Sequence, residues 1–177
     1  MVRTERAPSQ SDAHAPDGAA LIPDCPGVVA RPPRLYQAFL AAGVALHLLW
    51  PVEALPRAAG PPLRYATAAA LLAAGVGLMA AALRRFRAAG TNVETPKPAV
   101  ALVTDGVYRW TRNPMYLSLT LLYAGIGVLL NSLWILALLV PLLLVVRYGV
   151  IAREERYLDR KFGEPYRRYA ATVRRWL

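Results

Sequence analysis

Four apolar stretches, separated by polar ones, organise most of the chain. They run from about Leu35 to Leu55, Leu63 to Leu83, Pro114 to Leu130 and Leu133 to Ile151. A membrane-spanning helix needs about 20 residues. The second and fourth stretches meet that length, and the first and third are marginal. The pattern therefore predicts an all-α, polytopic integral membrane protein with about four transmembrane helices.

Short polar breaks predict how these helices connect and pack. Only Asn131 and Ser132 separate the last two stretches, so we expect a tight antiparallel hairpin there. Pro51 interrupts the first stretch near its end. Small residues in the second stretch, among them Gly75 and Gly77, predict a close approach between helices.

The first 33 residues differ in character from the rest. They are rich in proline and aspartate and hold no apolar run long enough for a signal peptide. This composition is typical of a disordered tail. We therefore divide the chain into a tail, 1–33, and a membrane domain, 34–177.

Composition and charge support the membrane class. Hydrophobic residues make up 56% of the 177 residues, the mean hydropathy is +0.31 and the formal net charge is +10. The basic residues flank the apolar stretches, a pattern that favours membrane topology over nucleic-acid binding. By the positive-inside rule, both termini and the 84–114 connection lie in the cytoplasm, in a bacterial inner membrane.

Cysteine and histidine are too scarce for redox or metal chemistry. The chain has one cysteine, Cys25, and two histidines, His14 and His47, far apart in sequence. An intrachain disulfide is impossible, and a metal site built on thiolate and imidazole is not expected.

Two polar segments, both predicted at the cytoplasmic face, hold enough polar side chains to build a site. In the first, Asn113 and Pro114 form a helix start, whose free amides favour an anionic group such as a carboxylate. Tyr108, Trp110 and Tyr116 suit either an aromatic belt at the membrane surface or stacking on an adenine ring.

The second segment begins at Arg153 and continues a helix out of the membrane. Glu154 follows Arg147 by seven residues, so the two should share a helix face and are candidate functional residues. Phe162 and Gly163 break this helix. For the last fifteen residues, spacing favours an amphipathic helix whose arginines meet anionic lipid headgroups.

Taken together, these segments resemble the isoprenylcysteine carboxyl methyltransferases and the related phospholipid methyltransferases. The resemblance covers residues 89–177, with order and spacing kept. It rests on Ala89-Gly90-Thr91-Asn92, Leu102-Val103-Thr104-Asp105-Gly106-Val107-Tyr108-Arg109, Arg112-Asn113-Pro114-Met115-Tyr116, Glu154-Glu155, Leu158, Phe162-Gly163, Tyr166 and Tyr169.

The resemblance implies a helical membrane enzyme that uses S-adenosyl-L-methionine, with Glu154 binding the amino group of the cofactor. Arg147 and Glu154, which share a predicted helix face, are the catalytic candidates. The other residues it implies at the cofactor are Leu102, Val103, Tyr108, Asn113, Pro114, Met115 and Tyr116.

Two positions depart from the pattern of this family. Asn113 stands where these enzymes commonly have a histidine, and an amide is not a general base at neutral pH. Val150 stands where the eukaryotic carboxyl methyltransferases have an arginine, and Arg147 is a candidate replacement.

The leading hypothesis is a membrane methyltransferase for a lipidic acceptor, most like a protein-S-isoprenylcysteine O-methyltransferase. The alternative within enzymes is a phosphatidylethanolamine N-methyltransferase. From another class, a small four-span transporter or membrane scaffold also fits the hydropathy. The expected partners are the bilayer and a lipid or lipidated substrate, and no nucleic acid.

Overall fold

The computed structural model describes residues 4–6, 27–28, 31–56, 60–90 and 99–176 of the chain. Within these residues the protein is mostly helical, with one short two-stranded ribbon. This confirms the predicted helical class.

Four helices follow one another along the chain and form a bundle. They are α1 (Pro32–Leu49), α2 (Gly60–Ala88), α3 (Pro114–Leu129) and α4 (Leu133–Val145). Proline occupies the first turn of both α1 and α3, where its missing N–H costs nothing and its fixed φ suits a helix.

The last helix continues beyond the bundle. A π-helical segment, Val146–Ile151, joins α4 to α5 (Ala152–Phe162) without a break. Gly163, with φ 60°, ends α5, and α6 (Glu164–Thr172) follows at a new angle. The predicted break at Phe162-Gly163 is confirmed.

Two helices among the described residues are long and apolar enough to cross a membrane. They are Gly60–Ala88 and the continuous helix Leu133–Phe162, and Pro114–Leu129 is a shorter apolar helix. The apolar part of the continuous helix ends at Ile151, and the charged residues from Ala152 onward lie outside it. α1 ends at Leu49, earlier than predicted, just before Pro51.

Glycines let the helices approach closely. A side chain at Gly75 of α2 would meet Leu122 of α3 within 2.8 Å, and one at Gly125 of α3 would meet Leu72 within 2.9 Å. The prediction of close approach is confirmed at Gly75 and wrong at Gly77, which faces open space. α2 packs chiefly on α3, and α1 packs on α4 and α3 but has no extensive contact with α2.

The predicted hairpin between α3 and α4 is confirmed. Asn131 takes a left-handed conformation with φ 50°, and the Ser132 hydroxyl accepts a hydrogen bond from the Ile135 amide. The Asn131 side chain also accepts from the amide of Leu55 at 2.8 Å. The α1–α2 connection therefore lies at the same end of the bundle as this hairpin.

The ribbon joins two distant parts of the chain. Strand β1 (Thr4–Arg6) pairs antiparallel with β2 (Ala101–Val103), Glu5 opposite Leu102. Residues 4–6 therefore pair with β2, and Pro32 already belongs to α1; for the rest of 1–33, disorder stays a prediction. Residues 7–26 lie outside the described part.

Candidate active site

At the end of the bundle opposite the hairpin lies a cavity of about 630 Å³. This volume suits a small-molecule ligand, and such pockets are typically apolar with a few placed polar groups. Its walls come from the first turn of α1, the end of α2, β2, the start of α3, α5 and α6.

All eight residues predicted to contact the cofactor line this one cavity. They come from two segments about forty residues apart along the chain, which the fold brings together: Leu102, Val103, Tyr108, Asn113, Pro114, Met115, Tyr116 and Glu154.

Glu154 and Tyr116 form the polar centre of this wall. The Tyr116 hydroxyl donates to Oε1 of Glu154 at 2.6 Å. Glu154 lies in α5, beyond the apolar part of its helix. The pKa of the Glu154 carboxyl is raised to about 7: burial is the main cause, the Tyr116 hydrogen bond opposes it, and the neighbouring Glu155 carboxylate adds a smaller increase. Among the described residues, no cationic side chain forms an ion pair with Glu154, so this carboxylate is suited to bind a cationic group on a ligand.

Arg147 does not join this site. Its side chain is exposed and lies over the ring of Tyr148, with the guanidinium carbon 5.4 Å from the ring centroid. The expectation of a face shared with Glu154 assumed regular α-helix. The intervening turn is π-helical, with i→i+5 bonding, so seven residues no longer correspond to two turns. Arg147 lies outside the cavity lining.

Asn113 precedes α3, as predicted, but its side chain does not cap that helix. Its Nδ2 instead donates to the carbonyl of Arg175 at 2.9 Å. The Thr111 hydroxyl donates to the same carbonyl at 3.2 Å, and the amide of Arg112 donates to the carbonyl of Arg174 at 3.0 Å. These bonds fasten the C-terminal residues onto the loop before α3.

Glu155 has a different role from its neighbour Glu154. It accepts two hydrogen bonds from Arg175, at 2.6 and 3.0 Å, and forms an ion pair with Arg112 at 3.2 Å. Arg175 therefore does not extend to lipid headgroups, as the amphipathic-helix interpretation expected. The Nε of Arg112 is buried without a hydrogen-bond partner at the cavity wall.

Tyrosines hold α6 over the cavity. The Tyr169 hydroxyl donates to the Tyr108 carbonyl at 2.7 Å, and the Tyr166 hydroxyl accepts from Arg112 at 3.5 Å. Burial, assisted by Glu155, raises the pKa of Tyr166 to about 12, and burial likewise raises the pKa values of Tyr108 and Tyr169. All three phenols therefore stay neutral at physiological pH.

Sequence reasoning missed several lining residues. The C-terminal end of α2 supplies an apolar wall of Met79, Leu83 and Phe86, which recur at helical spacing within an apolar run and so carry no distinct signal. Phe86 also contacts Tyr108 edge-on, at 5.4 Å between centroids. Arg34, in the first turn of α1, also lines the cavity. Its place in a basic segment beside an apolar stretch indicated membrane topology and not a site.

Metal ligands are not clustered in the part of the chain that the structure describes. No group of three or more His, Cys, Asp and Glu side chains there could hold a metal ion. The polar groups at the cavity are instead suited to an organic ligand with both cationic and anionic parts.

Comparison with known proteins adds an independent observation. The family model described as phospholipid methyltransferase matches residues 63–165, which is more than half of the chain. An uncharacterised protein of Haemophilus influenzae is 50% identical over 64 residues, which is 36% of this chain and the whole of that protein. No solved structure matches.

The apolar helices and the cavity at one end of the bundle are features of a helical membrane protein with a ligand site. With the family match, they define the class as a membrane methyltransferase. The chain belongs to the phospholipid methyltransferase family. Enzymes of this family generally use S-adenosylmethionine.

Proposed function

We propose that this protein is an S-adenosylmethionine-dependent methyltransferase that acts on a lipidic acceptor in the membrane. The observation that carries the proposal is the arrangement of the cavity. All the residues that the family resemblance assigns to the cofactor line it, and Glu154 offers a buried carboxylate that no cationic side chain of the described residues pairs with.

The groups at the cavity match those of the cofactor. Glu154 would bind the ammonium group. The buried Nε of Arg112 and the amides at the start of α3 would bind the carboxylate. The apolar and aromatic wall around Tyr108 and Phe86 would hold the adenine.

The cofactor, when bound, supplies a methyl group that is already activated by the sulfonium. The residues of the chain then need only to position the reactants and exclude water, since alignment alone lowers a barrier greatly. α6 and the C-terminal residues cover the site through the Tyr169–Tyr108 bond and the bonds to Arg174 and Arg175.

The lining holds no histidine, and Asn113 is bonded to a backbone carbonyl. Of the two carboxylates in the described lining, Glu155 is paired with arginines and Glu154 is assigned above to the cofactor ammonium, so no further side chain there is available as a general base. This favours an acceptor whose nucleophile is already ionised, such as the carboxylate of a prenylcysteine-like lipid, as the first substrate to test. Phosphatidylethanolamine is the second, supported by the name of the matching family.

We propose further that the chain spans a bacterial inner membrane four times, with both termini and the cavity on the cytoplasmic side. The alternating bundle and the basic residues at the cavity end support this orientation. A soluble cofactor would then enter from the cytoplasm and the acceptor from the bilayer.

The test is methyl transfer from labelled S-adenosylmethionine to total membrane lipid by the purified full chain in detergent. Base-labile release of labelled methanol identifies a methyl ester, and a labelled phosphatidylethanolamine derivative identifies N-methylation. If calorimetry detects no cofactor binding at millimolar concentration, both enzyme proposals fail and the transporter or scaffold alternative takes their place.

A further inference from the structure

The rim of the cavity carries two cations outside the family-matched residues. Arg31, immediately before α1, and Arg34, in its first turn, both line the cavity and are exposed. The family match begins only at residue 63. Neither residue is among the cofactor contacts proposed above.

The start of α1 is electrostatically unbalanced. The positive end of the helix dipole favours acidic residues, yet the first turn of α1 holds none. Arg31 precedes this turn and Arg34 lies in it. Among the described residues, no carboxylate lies within salt-bridge distance of Arg31 or Arg34. Pro32 and Pro33 have no N–H, so hydrogen bonds to an anion here would come mainly from the guanidinium groups.

The other cationic side chain at the cavity, Arg112, is differently placed. It is committed to Glu155 and Tyr166, and its remaining Nε is buried at the wall. The cofactor carboxylate is thus already assigned to Arg112 and the amides at the start of α3. Arg31 and Arg34 remain for a second anion.

An apolar surface adjoins these two cations. Met79 and Leu83, one helical turn apart on α2, line the same cavity together with Leu119 of α3. α1 and α2 do not pack extensively on each other, and the cavity is lined by both. A ligand that fills this part would therefore place an apolar chain on α2 and α3 and an anionic group at the start of α1.

We propose that Arg31 and Arg34 bind an anionic group, a phosphate or a carboxylate, on the methyl acceptor. The acceptor is thereby an amphiphile that carries an anionic group beside its apolar chain. Paired guanidiniums suit such groups, because their planar N–H donors match the oxygens two at a time. This inference rests on the proposed methyltransferase function and assigns acceptor selection to residues outside the family-matched region.

The experiment compares the wild-type chain with the double variant Arg31→Gln/Arg34→Gln, in mixed micelles with labelled S-adenosylmethionine. Three acceptors are offered: phosphatidylethanolamine, which carries a phosphate; S-farnesylcysteine, which carries a carboxylate; and dodecanethiol, which carries neither. Arg168→Gln, an exposed arginine of α6 outside the cavity lining, is the matched control.

We expect the double variant to raise KM for the anionic acceptor by about tenfold or more, equivalent to about 1.4 kcal/mol. Its affinity for S-adenosylmethionine and its turnover of dodecanethiol should stay unchanged. The double lysine variant keeps the charge that sets topology but loses the paired donors. Its KM should therefore lie between those of the wild type and the double glutamine variant. Whichever anionic acceptor is methylated identifies the source of the anion.

An unchanged KM for the anionic acceptors, in a variant that still binds the cofactor, would overturn the inference and leave the proposed function intact. A loss of cofactor binding in the double variant would also overturn it, by assigning these arginines to the cofactor. If the wild type binds the cofactor but methylates none of the three acceptors, native mass spectrometry with lysophosphatidylethanolamine tests the inference instead. Equal retention of this lipid by the wild type and the double variant then overturns the inference, and weaker retention by the variant supports it. Failure of the wild type to bind the cofactor is failure of the proposed function itself.

Discussion

Replacing Glu154 with glutamine is the sharpest test of the cavity as a cofactor site. The substitution keeps the size and one hydrogen-bond acceptor for Tyr116 but removes the negative charge. The pKa of Glu154 is about 7 rather than 4.5. Ionising this carboxyl in the folded protein therefore requires about 3 kcal/mol more free energy than ionising it in water. A cationic group that binds there recovers part of that cost.

A charge-assisted hydrogen bond contributes about 1.5–3 kcal/mol, which is roughly a 10- to 150-fold change in affinity. We therefore expect Glu154→Gln to weaken S-adenosylmethionine binding by at least about tenfold. Calorimetry on the detergent-purified full chain at pH 8 measures this. Asp159→Asn removes a half-exposed carboxylate of the same helix, paired with Arg167, and serves as the control.

The affinity for S-adenosylmethionine should also depend on pH, because only the ionised form of Glu154 attracts the cofactor. The pKa of about 7 means that Glu154 is neutral below pH 7 and charged above it. Affinity for the cationic cofactor should therefore fall by about tenfold from pH 8 to pH 6. Tyr116, Tyr108 and Glu155 face or adjoin this carboxyl, and burial raises the pKa of Tyr108, which stays neutral across that range.

The stability of the ligand-free protein should change in the opposite direction. The native carboxyl keeps its proton above pH 4.5, where the unfolded one has lost it, so stability falls as pH rises from 4.5 through 7. Glu154→Gln should lack this fall. Unchanged cofactor affinity in the variant, or a wild-type affinity that is flat between pH 6 and 8, would refute the assignment of Glu154 to the cofactor.

Three further predictions follow from individual contacts. Tyr116→Phe removes the hydrogen bond that lowers the pKa of Glu154, so the pH midpoint of cofactor binding should rise, and a constant midpoint would contradict the pairing. Arg147→Ala should change neither cofactor affinity nor turnover, measured by calorimetry and label transfer, because its side chain is exposed outside the cavity; a loss of either would return it to the site. Arg175→Ala breaks a partly exposed pair with Glu155 worth roughly 1 kcal/mol, so the C-terminal residues should be trimmed faster by carboxypeptidase, and equal rates would show that the pair does not hold them.

Much of the local structure follows directly from the residues. The four apolar runs predict helices, and the structure has a helix over each of them. In a bilayer, such runs satisfy their backbone hydrogen bonds only within the segment. Asn131-Ser132 predicts the hairpin, Gly163 the end of α5, and Pro114 the start of α3.

The errors share one physical cause. Arg147 was placed beside Glu154 by counting regular helical turns, but π-helical bonding between them changes that count. Asn113 was expected to cap α3, but the Arg175 carbonyl takes its side chain. In both cases a local rule assumed ideal geometry or local partners, and the actual arrangement depends on atoms distant in sequence.

The sequence by itself determined the helical class and the two polar segments, and the family resemblance gave eight of the residues that line the cavity. Only the tertiary structure decided which charged side chains pair with one another and which remain for a ligand. Within the part of the chain that the structure describes, it left Glu154 without a cationic partner, paired Glu155 with Arg112 and Arg175, and brought Arg31 and Arg34 to the rim. Helix formation is set by neighbours along the chain, whereas the charge that meets a carboxylate is set by whichever distant segment packs against it.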